Sequence, residues 1–455
     1  MGKNLAPNNH VFYRNQGWRY PKIVRGEGVY LYDDTGKRYL DSCSGSIIAG
    51  LGHGNKEVAE YAKEQIERIA FTHLSRWTVD TVEMCCEKLC SWMPGNTLNH
   101  AFLLSGGSES VDGALKMARQ YFVERDGEGS SKYIAISKWN GFHGNTIGSL
   151  AVTGISGGRK LYNPMLMTSP KIHQFYHYRN PWGCETLKET SIKAAQELEE
   201  EILRQGPQNV MCFISEPVVG TAVPGQMADP IYFKMVREIC DKYDVLWIDD
   251  EVMAGMGRTG TKMAITHYGD DIVPDIITTA KGMSCGYTPI GAVVASDKVW
   301  ETIMIKGSGS VKHGHTYAGN PLSAGIAWKV MSILERDKLV ERCAENGAYL
   351  NERLQELYKY PIVGEVRGIG QMCGIEFVKD QKTKEPFESS VGVAGKITNA
   401  GLDAGIVPYP GTGCVDGVRG DSILIAPPFI CTKEQIDEVV DGLHTTIKTV
   451  CEQVL

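Results

Sequence analysis

The chain has 455 residues, a formal net charge of −7 and a hydrophobic fraction of 42%. At ~100–200 residues per domain, that length suggests two or three domains around a large core. The mild acidity speaks against a nucleic-acid or anionic-membrane surface, and no apolar run approaches the ~18 residues that a membrane span needs.

The opening segment Met1–Pro21 has no hydrophobic signal core. Ala6 stands where a lipidation signal on Gly2 requires Ser or Thr. The thirteen cysteines are scattered without a Cys-x-x-Cys pair. They read as small buried thiols in a reducing cytosol, not as a disulfide framework or a zinc site. A cytoplasmic protein is the expectation.

The first patterned stretch, Gly28–Leu40, alternates and turns at Asp33-Asp34-Thr35-Gly36, which predicts a β-hairpin. Beyond residue 55, helical periods alternate with short apolar runs. Such alternation indicates βα units and a largely parallel sheet. Strands are expected at Ala101–Leu104, Tyr133–Ile136, Val210–Ile214, Val245–Ile248 and Ile276–Thr278. Past their carboxyl ends come Ser105–Glu109, Trp139–Gly144, Ser215-Glu216-Pro217, Asp249-Asp250-Glu251 and Lys281. Open α/β sheets bind ligands at that edge. The tail then predicts helices at Leu322–Arg336 and Val340–Tyr358 and strands at Val363–Gly368 and Cys373–Val378. A helix at Val391–Ala404, a strand at Ser422–Ile425 and a last helix from Lys433 follow. The expected division is a large domain over 56–325 and a smaller α+β domain built from both termini, 1–55 and 326–455.

Lys281 stands in a small, fairly apolar setting between Thr278-Thr279-Ala280 and Gly282-Met283-Ser284. Partial desolvation keeps such an amine neutral and nucleophilic, able to condense with an aldehyde. Asp250, at the end of a strand, can hold a ring nitrogen protonated by a charge-assisted bond. Together they suggest a pyridoxal phosphate site. Alone, Asp249-Asp250-Glu251 reads better as a solvated acidic turn. Ser105–Glu109 precedes a helix with Val111, Leu115, Ala118 and Phe122 on one side; Ser108 can cap it, and its first-turn N–H groups suit a phosphate. Phe142, beside His143, offers a face for a flat ring.

Three other features are weaker. Gly255–Gly260 does not join a strand end to a helix start, so it does not argue for a dinucleotide, and Arg258 within it reads as a loop anchor. His313 and His315 lack a nearby carboxylate or cysteine, so no metal is expected, and Thr316 fits better as a phosphate donor. Cys285 lies near Lys281 in sequence.

Taken in order, Ser105–Glu109, Phe142–Gly144, Glu216-Pro217-Val218, Asp250–Val252, Gly257–Gly260, Pro274–Lys281, Gly314–Pro321 and Ala426-Pro427-Pro428 resemble the class III, or omega-type, aminotransferases of pyridoxal phosphate fold type I. The resemblance implies a homodimer or higher oligomer with sites between subunits. It implies Lys281 as the residue that links to the cofactor and shuttles the proton. Asp250 would bind the ring nitrogen, with Val252 and Phe142 on the two ring faces and His143 among the cofactor-binding residues. Gly107 and Ser108 would hold the phosphate, helped by Thr316 from the partner subunit, and Glu216 would lie near the cofactor edge and substrate. Asp416–Asp421 before the double proline is similar to a group acting on ω-amino acids or amines with pyruvate, which makes Arg419 the candidate for a substrate carboxylate; a loop arginine paired with Asp416 or Asp421 is the alternative. Trp77 falls where the family builds its substrate pocket.

Two departures matter. The family's usual tyrosine is Phe142 here, and Thr221 replaces the acid that marks ornithine- and 4-aminobutyrate-type members. The implied reaction is a ping-pong transfer from an ω-amino acid or amine to pyruvate or 2-oxoglutarate. Racemisation, epimerisation or aminomutation would use the same anchors. A catalytically silent binding protein could keep the fold.

Overall fold

The computed structural model describes residues 10–15 and 18–455. The Gly2 and Ala6 reading lies outside those residues. At the start, β1 (Ile23–Glu27), β2 (Tyr30–Asp33) and β3 (Arg38–Leu40) form an antiparallel meander. The expected hairpin is its second half. Asp33 Oδ1 accepts from the N–H groups of Thr35 at 3.0 Å and Lys37 at 2.9 Å, a side-chain-closed turn. β1 carries no apolar alternation because most of its residues face water.

The central sheet contains β4 (His100–Leu104), β5 (Ile134–Lys138), β6 (Lys171–Ile172), β7 (Val210–Ser215), β8 (Leu246–Asp250), β9 (Ile276–Thr279) and β10 (Gly291–Ala295), in the order β4-β10-β9-β8-β7-β5-β6. From β9 to β6 every neighbour is parallel, and β10 alone runs antiparallel to β4 and β9. The link from Lys281 to Ile290 is too short for the crossover a parallel neighbour requires. Helices cover both faces. Ile136, Phe213, Trp247 and Ile277 pack under helices Leu187–Gln205 and Ile231–Lys242. Ala135, Cys212, Ile214 and Ile248 pack against Val111, Leu115, Ala118 and Phe122 of helix Gly107–Asp126. The mostly parallel, helix-flanked α/β sheet is as expected.

β5 and β8 each run two residues past their expected ends. Lys138, Asp249 and Asp250 are buried, so strand pairing continues where polarity suggested a turn. The solvated acidic turn is thereby excluded, since Glu251 is buried as well.

A third, antiparallel sheet has the order β11-β12-β14-β13, with β11 (Val363–Ile369), β12 (Met372–Phe377), β13 (Tyr409–Thr412) and β14 (Asp421–Ile425). Its core takes in Ile436, Val439 and Leu443 of helix Lys433–Val454, together with Val29 and Leu40 from the first sheet's region. Among the described residues no helix is long and apolar enough to cross a membrane.

Candidate active site

The carboxyl ends of β5, β7, β8 and β9 bring four chemistry-bearing segments together. Asp250 closes β8. Its Oδ2 lies 2.7 Å from His143 Nδ1, and its Oδ1 accepts the Val252 N–H at 3.1 Å. An ionised carboxylate can only accept, so with Asp250 in that form the shared proton belongs to His143 Nδ1. His143 is fixed from behind, because its own N–H donates to Thr153 Oγ1 at 2.9 Å. Both oxygens of Asp250 are therefore oriented before any ligand arrives.

Lys281 follows β9 and opens the short helical turn Lys281–Met283. Its φ of +28° lies in the left-handed region, which costs a non-glycine residue roughly 1–3 kcal/mol. Its amine is drawn below the ordinary lysine range, first by burial and then by Arg258; Asp250 and Glu216 pull the other way. The amine thus shares an electrostatic environment with both carboxylates. Cys285, four residues on, is buried and its thiol is pushed up to about 11, which removes it as a nucleophile.

Helix Gly107–Asp126 begins where β4 ends. The structure corrects one detail: Gly106, not Ser108, occupies the cap position, and no side chain caps the helix. Ser108 stands in the first turn, and its Oγ accepts the Asn145 N–H at 3.0 Å. That contact ties the helix start to the loop carrying Phe142 and His143. Gly144, at φ +134°, permits it, since a Cβ there would lie 2.4 Å from Ser108 Oγ. A Cβ on Gly107 would lie 2.6 Å from Val252 Cγ1, so the helix N-terminus rests directly on the residue that follows Asp250 and Glu251. The N–H groups of this turn have no intrahelical partners and favour an anion.

Glu216 follows β7. It accepts the Phe142 N–H at 3.2 Å and the Gly220 N–H at 3.1 Å, and burial pushes its pKa up. Phe142 is half-buried, its backbone held by Glu216. Arg258 holds a loop, as expected. Its guanidinium donates to the carbonyls of Pro427 at 2.7 Å and Gln371 at 3.2 Å, and stacks over Phe429.

Three residues stand apart from this cluster. Thr316 lies exposed in a turn beside Tyr317. Trp77 is exposed and lines an apolar groove of about 680 Å³ with Leu74, Phe102, Val299, Trp300 and Ile303. Arg419 binds Asp416 through its Nε at 2.8 Å and its backbone N–H at 2.7 Å. No group of three or more residues suited to a metal occurs among the described residues.

The donor set fits a flat, phosphorylated, aldehyde-bearing heterocycle. A helix start could take the phosphate, an oriented carboxylate the ring nitrogen, and a desolvated amine the carbonyl carbon. Sequence reasoning missed what supports these groups: Thr153 behind His143, and Asn145 on Ser108. Only the Gly141–Gly144 spacing hinted at so close an approach.

The sequence profile of the family described as aminotransferase class-III matches residues 13–447. The chain is 34% identical over 420 residues to a putrescine–pyruvate aminotransferase of Pseudomonas aeruginosa, covering 92% of this chain and 88% of the other. It superposes on an (S)-enantioselective omega-transaminase from Thermomicrobium roseum with a TM-score of 0.88 at 35% identity, covering 95% and 93% of the two chains. An omega-transaminase from Pseudomonas jessenii, solved in complex with PMP, gives a TM-score of 0.89 at 30% identity over 96% and 94%.

Proposed function

The chain belongs to the class III aminotransferases, and we propose that it moves the amino group of an ω-amino acid or amine to pyruvate or 2-oxoglutarate, using pyridoxal 5'-phosphate anchored at Lys281. The convergence of the Lys281 amine with Asp250 and Glu216, beside a helix N-terminus, carries this reading. When bound, the cofactor supplies a carbonyl carbon that accepts the amino group and a ring that accepts the electrons released with the substrate's proton. The protein does the rest.

Lys281 Nζ anchors the cofactor at rest. Freed by the incoming amine, and less readily protonated because it is desolvated, it would take the proton from the substrate carbon bearing the amino group and pass it to the carbon that the cofactor contributes on the other side of the nitrogen. Asp250, pinned by His143 and the Val252 N–H, keeps a proton on the ring nitrogen. Val252 and Phe142 confine the ring on its two faces. Gly107 and Ser108 receive the phosphate, and Thr316 of the partner subunit completes that contact. Glu216 lies at the substrate side. Trp77 narrows the entrance, and Arg419 turns from Asp416 to meet a substrate carboxylate.

The assembly is a homodimer or a higher homo-oligomer, and exposed Trp77, Phe71 and Tyr317 support it by presenting aromatic surface. The Pseudomonas aeruginosa relative's name supports pyruvate as acceptor and a diamine as donor. A cytoplasmic location remains part of the same proposal. The test is a panel of ω-amino acids, diamines and taurine with each keto acid, with detection of the oxo product. Turnover sustained without any keto acid would refute transamination in favour of racemisation.

A further inference from the structure

A row of polar side chains lies on the sheet face opposite Asp250. Ser215 of β7 pairs with Asp249 of β8. Continuing the pairing of Ile136 with Phe213 by two residues sets Lys138 of β5 beside Ser215. Register partners in a parallel sheet share a face, and successive residues alternate between faces. Lys138, Ser215 and Asp249 therefore cross three strands on the face of Ile136, Phe213 and Trp247, while Asp250 points the other way.

All three are fully buried. Lys138 Nζ and Ser215 Oγ have no hydrogen-bond partner among the described residues, and the Asp249 carboxyl has none beyond the Glu251 carboxyl two residues on. Nζ lies 3.8 Å from the Phe175 ring centre and 5.5 Å from that of Tyr232. At ~4.8 Å per strand, the Lys138 and Asp249 backbones are ~10 Å apart, with Ser215 between them.

Burial draws Lys138 down to about 7, with Glu216 and then Asp249 opposing; burial pushes Asp249 well up, reinforced by Glu251 and Asp250, with Lys138 the group that opposes it. The titratable groups around the row are Glu216 after β7, Glu251 after β8, Tyr268 of the segment Ala264–Tyr268, Tyr232 over Lys138, and Asp250 behind. A lone charge in this position would neutralise itself by shifting its pKa.

We propose that Lys138 and Asp249 form an acid–base pair of zero net charge across Ser215, which keeps the sheet face behind Asp250 and Glu216 neutral and so sets the charge that these carboxylates present to the cofactor. They are positioning residues, and their link to the cofactor rests on the functional reading above.

The test compares Lys138→Met, Asp249→Asn and the double variant in the cofactor-loaded enzyme. Urea unfolding is followed from about pH 6 to 9, and the bound cofactor's absorption is titrated over the same range. In Lys138→Met the remaining carboxyl has a folded pKa above its unfolded one, so stability falls as pH rises. In Asp249→Asn the remaining amine has a folded pKa below its unfolded one, so stability rises with pH. The double variant follows the unaltered enzyme's pH dependence. The absorption pKa moves up in Lys138→Met, down in Asp249→Asn, and returns in the double variant.

Slopes or absorption shifts of the same sign in both single variants overturn the pair, as does a double variant showing the sum of the single losses. Should Lys138→Met not fold, a folded double variant is the expected rescue, and failure of both overturns the pair. The unfolding arm needs no cofactor, so opposite slopes in a protein that takes none up would overturn the functional reading alone.

Discussion

His143 Nδ1 lies 2.7 Å from Asp250 Oδ2, both side chains closed off from water, although 107 positions separate them in the chain. The Asp250 carboxyl is thus held by an imidazole whose own backbone is pinned to Thr153. Asp250→Asn should lower turnover by ~10²–10³-fold, because the ring loses its fixed counter-charge. His143→Asn should cost ~10–100-fold, as second-layer partners of a reacting group do, without releasing the cofactor. Stopped-flow half-reactions on each variant measure both. Equal losses would mean that His143 does more than orient Asp250.

The Lys281 amine is desolvated, and the backbone that carries it is strained. Lys281→Ala should abolish borohydride labelling at this position and lower turnover by about 10⁴-fold, with partial recovery on adding small amines. A second readout follows from charge. In the cofactor-free protein the folded lysine has a depressed pKa, so the unfolded chain binds more protons between that value and ~10.4. Stability should therefore rise with pH across that window, the penalty being fully present below the folded value. Urea unfolding should show this rise, and Lys281→Met should flatten it.

Gly107 packs against Val252 with no room for a methyl group. Gly107→Ala should push the helix start off β8, with an overpacking cost of ~1–3 kcal/mol. Phosphate affinity should suffer more than catalysis in saturating cofactor, because the displaced groups are the first-turn N–H donors. Calorimetric titration with pyridoxal phosphate, alongside a melting curve, separates the two effects. A variant with native affinity and native Tm would show that the helix start is not under this constraint.

Some of this architecture is readable from composition and period. β7 and β9 are wholly buried, so Val210–Ile214 stands out as an unbroken apolar run and Ile276–Thr278 as a β-branched one. β10 was not anticipated, because Gly291–Ala295 is short and made largely of small residues. Asp249 and Asp250 were read as following a strand because acids ordinarily prefer water, yet both belong to β8. The decisive contacts are least legible. His143 meets Asp250, and Ser108 meets Asn145, only because parallel strands return to one edge after long crossovers. Ser108 was misread as a cap for the converse reason: Gly106 adopts an extended backbone that any residue could take, so nothing local marks the helix start.

Arg419 offers the sharpest test of substrate class. Its guanidinium is half-exposed and already engaged by Asp416, with Glu388 at 3.9 Å. An exposed pair of this kind, screened by water, holds its partners weakly enough for an incoming carboxylate to displace. Arg419→Gln should therefore raise KM about tenfold for ω-amino acids and keto acids while leaving simple amines unchanged, since only carboxylated substrates lose a bidentate partner. Asp416→Asn should act in the opposite direction by freeing the guanidinium. Steady-state kinetics with one carboxylated and one uncarboxylated donor measure both. If neither variant distinguishes the two donors, Arg419 serves its own loop, and the carboxylate is recognised elsewhere.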